Sequence, residues 1–124
     1  MTIDTNILIA YLDGEEAVVD FINTLITQGK LLYLPATVEI ELLSFAGWTP
    51  AEVTAVEQFL SKGFVFMPID RQLAQMTAHI RRTVKIKTPD ATIAATAIST
   101  DTPLLTRNTR DFKNIPGLSL MSIV

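Results

Sequence analysis

The sequence predicts an α/β protein built on a parallel sheet with helices on both faces. Two observations carry this. Short β-rich apolar runs alternate with helix-length segments along the chain, the signature of strand-helix-strand units. Glycines 14, 29, 47, 63 and 117 fall between those segments, where turns and caps are needed. A chain of 124 residues is accounted for by one domain, 1–124, with one core.

In chain order, a brief strand ends at Asp4, an acid placed directly ahead of the apolar run NILIAYL. A helix is expected over 15–28, between Gly14 and Gly29. The second strand is LLYLP, 31–35, and TVEIELLSFAG gives a helix over 37–46 that Gly47 closes. Thr49 caps and Pro50 opens a helix over 50–62. The strand FVFMPI, 64–69, leads into a helix over 70–86. A helix over 89–99 has Thr88 as its cap and Pro89 at its start, and PLLT (103–106) and LSLMSI (118–123) complete five strands.

Composition removes several chemistries. The chain has no cysteine and one histidine, His79, so thiolate ligation, disulfides and an imidazole-built zinc site are excluded. All five glycines serve as turns or caps, and neither GxGxxG nor GxxxxGK occurs, so no loop cradles a nucleotide phosphate. No apolar stretch is long enough to span a membrane and no basic flank marks a signal peptide, which reads as a cytoplasmic protein. Hydrophobic residues form 48% of the chain and mean hydropathy is +0.34. That surplus suggests a dimer face or a partner groove.

Net charge is −3, but it is unevenly spread. Residues 71–113 hold eight bases (Arg71, Arg81, Arg82, Lys85, Lys87, Arg107, Arg110, Lys113) against three acids, whereas ten of the thirteen acids precede them. A basic surface beside an acidic centre suits a phosphate backbone, and a solvated helix face explains it equally well.

Ligands of open α/β sheets bind outside the carboxyl ends of the strands. Asp4 stands at such an end, although Asp before NILIAYL also suits a helix cap. In TPDATIAATAIST, 88–100, Asp90 shares a helical face with Ile93, Ala94, Ala97 and Ile98, while Thr92, Thr96 and Ser99 point away. A first-turn acid is favoured by the helix dipole, which explains its place along the helix but not its face. In TVEIELL, Glu39 and Glu41 flank the apolar stripe of Val38, Leu42 and Phe45 at similar angles, and periodicity does not choose between them. LLTRNTRDF gathers Thr106, Asn108 and Asp111 after a strand, where loops are ordinarily polar. Four segments thus bring oxygen side chains to strand ends or helix starts. Clustered carboxylates are costly without a cation, and an oxygen-only donor set suits Mg²⁺ or Mn²⁺.

These residues resemble the PIN-domain ribonucleases, and within them the VapC-like toxins of bacterial toxin-antitoxin pairs. DTNILIAYL resembles the first motif of that family, with Asp4 as its acid; TVEIELL resembles the second and points to Glu41; PDATIAATAI resembles the third, giving Asp90. LLTRNTRDF resembles the fourth, with Thr106 and Asn108 bordering the pocket and Asp111 before the phenylalanine. Many members carry Asp where this chain has Asn108. The resemblance implies a three-layer α/β/α sandwich with a parallel five-stranded sheet, and metal-dependent hydrolysis of RNA phosphodiester bonds. Asp4, Glu41 and Asp90 would hold one or two Mg²⁺ or Mn²⁺ ions, Asp111 and Asn108 would position metal or water, and Thr106 would orient a carboxylate. Arg81, Arg82, Arg107 and Arg110 are the expected backbone contacts. It also implies a homodimer and a cognate antitoxin protein in an apolar groove, for which Phe45, Trp48 and the apolar side of AEVTAVEQFL are candidates. Core packing is the plainer expectation for Phe45.

Two other readings compete. A signalling receiver domain needs paired acids after the first strand and a lysine near the last one; this chain has one acid there and no lysine beyond Lys113. A PIN fold that binds RNA or protein without cutting it is the alternative that replacement of Asp4 or Asp90 separates.

Overall fold

The computed structural model describes residues 1–123; Val124, which closes the expected domain, lies outside them. The chain runs β1 (Thr2–Ile3), α1 (Thr5–Leu12), α2 (Glu16–Thr27), β2 (Tyr33–Pro35), α3 (Ala36–Leu43), α4 (Pro50–Gly63) and β3 (Val65–Met67). It continues through α5 (Arg71–Thr83), α6 (Thr88–Thr100), β4 (Leu104–Leu105), α7 (Thr109–Phe112) and β5 (Leu120–Met121).

All four strand pairings are parallel, in the order β3-β2-β1-β4-β5. The sheet therefore grows outward from β1 to β3, then restarts on the other side of β1 with β4. The strand order reverses between β1 and β4, and a crevice opens there at the carboxyl edge. Thr2 pairs with Leu104 and Ile3 with Leu105, which sets Asp4 and Thr106 side by side just past the strand ends. Ile3, Leu34, Leu104 and Leu105 are fully buried or nearly so, packed with Ile7, Leu8, Val18 and Ile22 from the first two helices.

The expected five parallel strands are present, trimmed at their ends, because residues flanking each short run leave the ladder for the loops. Two further helices complete the fold, one that only the helix-cap reading of Asp4 allowed and one that was not expected. The run after Asp4 is α1, whose apolar residues surround the helix and leave no amphipathic period to read: Ile7, Leu8 and Ala10 are buried while Ile9 is exposed. The α7 helix spans four residues, too few to show a period.

Two helix ends also differ. The α5 helix stops at Thr83, and both Val84 and Lys87 are extended. The Arg81 Nε donates to the Ile86 carbonyl at 3.1 Å, folding the 84–87 segment back on the helix end. The α6 helix begins at Thr88 with Lys87 in the cap position, so Thr88 is its first residue rather than its cap. Thr49 does cap α4: its hydroxyl accepts from the Glu52 amide, and the Glu52 carboxylate accepts from the Thr49 amide. This is a capping box.

Thr92 and Thr96 do not point away into solvent. Residues 91–97 are all buried, because α6 packs against α5, α3 and β2 and has no solvent side along this stretch. The Thr96 hydroxyl donates to the Thr92 carbonyl, and Thr92 pairs with the Thr37 hydroxyl. Buried hydroxyls are tolerated when they are bonded in this way.

Candidate active site

The β1 strand carries Asp4 to the switch point, where the acid is both a helix cap and a pocket group. Its Oδ1 accepts from the Thr5 amide at 2.8 Å at the start of α1. Its Oδ2 accepts from the Thr106 hydroxyl at 2.7 Å. The two competing sequence readings of Asp4 thus describe different oxygens of one carboxylate. Asp4 is only 6% exposed. Burial pushes its carboxyl above the ordinary range; the Thr106 and Thr5 bonds oppose that, and the charges of Glu41 and Asp111 add to it.

The α3 helix supplies the second acid. The Thr5 hydroxyl donates to Glu41 Oε1 at 2.7 Å, and the charge of Glu41 acts on Asp4 and Asp90. Those contacts single out Glu41 from Glu39, a choice that helical periodicity left open. Asp90 enters from the first turn of α6. Its carboxyl is raised by burial first, then by the charges of Asp4, Asp111 and Glu41, with Lys87 pulling the other way. The fourth acid, Asp111, comes from α7, just after β4. Asn108 Nδ2 donates to Asp111 Oδ2 at 2.6 Å, and the Asn108 amide donates to the Thr106 hydroxyl at 2.9 Å. Asn108 thus holds Asp111 in place.

All six candidate residues, Asp4, Glu41, Asp90, Thr106, Asn108 and Asp111, therefore gather at one edge. Three of the four carboxylates are held by a neutral donor: Asp4 by Thr106, Glu41 by Thr5, Asp111 by Asn108. Among the described residues no three acidic or imidazole side chains are close enough together to wrap a cation directly. The acids are nonetheless near enough to push up the carboxyls of Asp4 and Asp90. Oxygen donors with room left for water suit Mg²⁺, which keeps several waters and takes one or two carboxylates directly.

The acidic edge opens into a cleft of about 860 Å³. Asp90 and Asp111 line it together with Arg81, Lys85, Lys87, Arg110 and Lys113. Arg81 and Arg110 are where the sequence reading expected backbone contacts. Arg82 is not among the cleft's lining residues. Arg107 is turned away into a two-pronged ion pair with Glu15, which holds the Glu15 carboxyl low and the guanidinium high. Lys85 and Lys87, which the sequence reading placed only among the eight bases of a basic surface, also line the cleft: Val84 and Ile86 pack on the core, and the two lysines are exposed.

A second depression, about 500 Å³, lies on the Glu41 side, lined by Ile9, Leu12, Leu42, Phe45 and Trp48 among others. Phe45 is 60% exposed, so it is a groove residue and not a core one; α3 ends at Leu43 and Phe45 leaves with the loop. Its ring meets Trp48 edge-on, and the Trp48 indole donates to the Leu42 carbonyl at 3.0 Å. Asp70 caps α5, its Oδ1 accepting from the Leu73 amide at 2.9 Å.

Comparison with known proteins agrees with this geometry. The PIN domain family model matches residues 1–118. Ribonuclease VapC19 of Mycobacterium tuberculosis is 35% identical over 121 residues, covering 94% of each chain. A toxin-antitoxin complex from Klebsiella pneumoniae contains a chain that superposes with a TM-score of 0.80 at 29% identity over 98% of both chains. VapBC2 from Rickettsia felis, solved bound to a DNA fragment from its promoter, shares the fold with a TM-score of 0.83 at 20% identity, covering 99% of this chain and 98% of that one. The parallel five-stranded sheet, the four acids at its switch point and a family match over nearly the whole length agree: this chain belongs to the PIN domain family.

Proposed function

We propose that the chain is a divalent-metal-dependent ribonuclease that hydrolyses RNA phosphodiester bonds, and that it is the toxin of a toxin-antitoxin pair. The observation that carries the reading is the meeting of four carboxylates from four segments at the sheet's switch point, open to a cleft lined by five cations. Its full-length relative bears the name of a ribonuclease.

In this reading Asp4, Glu41 and Asp90 would hold the Mg²⁺ or Mn²⁺ in part through waters, since no three acids among the described residues lie close enough to wrap it directly. When bound, the cation supplies an acidified water as nucleophile and a counter-charge for the scissile phosphate. Thr106 and Thr5 fix the carboxylates of Asp4 and Glu41 so that their oxygens converge without rotamer search. Asp111, steadied by Asn108, orients the remaining water. Arg110 and the lysines of the cleft neutralise the flanking phosphates, which otherwise meet four negative charges.

The groove beside Glu41 is proposed as the seat of an apolar antitoxin segment. Exposed Phe45 and Ile9 in its lining support it, as does the likeness to a chain solved in a toxin-antitoxin complex. Further exposed apolar side chains, Leu31 and Phe66 among them, leave surface for a second copy of the chain, and a homodimer is the assembly proposed.

The test is cleavage of a pool of tRNA and structured RNA by the purified protein in Mg²⁺ or Mn²⁺, with EDTA and Asp90→Asn as controls. Metal-dependent cutting that the variant lacks supports the nuclease. No cutting by folded, antitoxin-free protein favours a fold that only binds.

A further inference from the structure

The acidic centre lies between two depressions of opposite character. The cleft on the Asp90 side carries Arg81, Lys85, Lys87, Arg110 and Lys113. On the Glu41 side the charged lining residues are both acids, Asp13 and Glu41. A phosphate chain is drawn to the first and repelled from the second.

We propose that the substrate is held on one flank of the scissile bond only, its backbone running from Asp90 and Asp111 along a track made by the 84–87 segment and the 110–113 turn. The inference rests on the nuclease reading of this site and adds which part of the RNA is gripped and by what.

The track is built by the chain itself. Val84 and Lys87 are extended, Val84 and Ile86 pack on the core, and the exposed Lys85 and Lys87 line the cleft beside them. The Arg81 bond to the Ile86 carbonyl holds the segment in that form. Arg107 does not join the track, because Glu15 occupies its guanidinium.

The apolar side chains lining the cleft, Val84 and Ile86, are aliphatic. Bases stack on aromatic rings with substantial gain, and the track offers none. It therefore grips phosphates and is indifferent to base identity; selection of one RNA over another falls to the shape of the strand that reaches the acids.

The experiment measures binding of labelled single-stranded RNA by anisotropy in EDTA across a KCl series. The proteins are wild type, Lys85→Ala, Lys113→Ala, and the controls Lys30→Ala and Lys62→Ala, both off the cleft. Each cleft variant is expected to flatten the log Kd against log salt slope by about 0.7; the controls leave it unchanged, and oligo(A), oligo(U) and mixed sequences bind alike. Equal slopes for cleft and control variants, a marked preference for one base, or no binding at all overturns the track. Cleavage assays of the same variants in Mg²⁺ separate the two readings. Slopes that flatten without any cutting retain the track and remove the nuclease, whereas intact cutting with unchanged slopes does the reverse.

Discussion

Thr106 donates its hydroxyl to Asp4 Oδ2 at 2.7 Å, joining residues 102 apart in sequence across the point where strand order reverses. The Thr106 hydroxyl oxygen in turn accepts from the Asn108 amide, and Thr106 is fully buried. Thr106→Val keeps the shape and removes both roles. Leaving these partners unsatisfied costs about 1–3 kcal/mol, read by urea denaturation, and activity falls about 10- to 100-fold, the usual effect of freeing a metal-orienting group. Thr106→Ser is expected to retain both. Wild-type stability and rates in the valine variant would show that the hydroxyl is incidental.

Thr5, half-buried at the start of α1, donates its hydroxyl to Glu41 in the same way. Thr5→Val is expected to leave the melting temperature close to wild type while weakening Mn²⁺ binding about 10-fold or more. Titration calorimetry reads this directly. Rescue by Thr5→Ser identifies the hydroxyl as the cause; unaltered affinity in the valine variant refutes the positioning role.

The raised carboxyls of Asp4 and Asp90 make the metal-free protein less stable at neutral pH than under mild acid. Between the ordinary carboxylate range and their own higher values, the folded chain binds more protons than the unfolded one, so stability falls as pH rises through that window. Glu15 has the opposite sign, but its carboxyl is held low by Arg107, so its contribution is lost only at more acid pH. In EDTA, melting temperature is expected to rise on mild acidification. Asp90→Asn should raise it at neutral pH and flatten the profile. Superimposable profiles for variant and wild type would count against mutual repulsion among the acids.

Gly47 sits under the Phe45 ring, and a methyl group there would overlap the ring's far end. An exposed ring swings aside cheaply, so Gly47→Ala is expected to change stability by less than about 1 kcal/mol while reshaping the groove. Trp48, the single tryptophan, packs edge-on against Phe45 and reports the change through its emission. An unshifted spectrum would mean that the ring did not move.

Much of this was legible because the signals were chemical and local. Strand runs, Thr49 before Pro50 and the four acidic motifs each reflect one short stretch. What escaped depends on neighbours distant in sequence. Thr92 and Thr96 look like a polar helix face until α5 and α3 cover them. Arg107 looks like a phosphate contact until Glu15, 92 residues earlier, claims it. The α1 helix stayed open for a different reason: with apolar residues all round, it has no amphipathic period, and only Asp4 as a cap spoke for a helix.

The pairing of β1 with β4 has a consequence in time. Asp4 and Thr106 stand 102 residues apart in sequence, so Asp4 has its hydroxyl partner only once β4 has paired with β1. Contacts this distant in sequence form late and slowly. The site is therefore tied to a completed sheet: a chain whose β4 has not docked beside β1 holds Asp4 without the group that orients it.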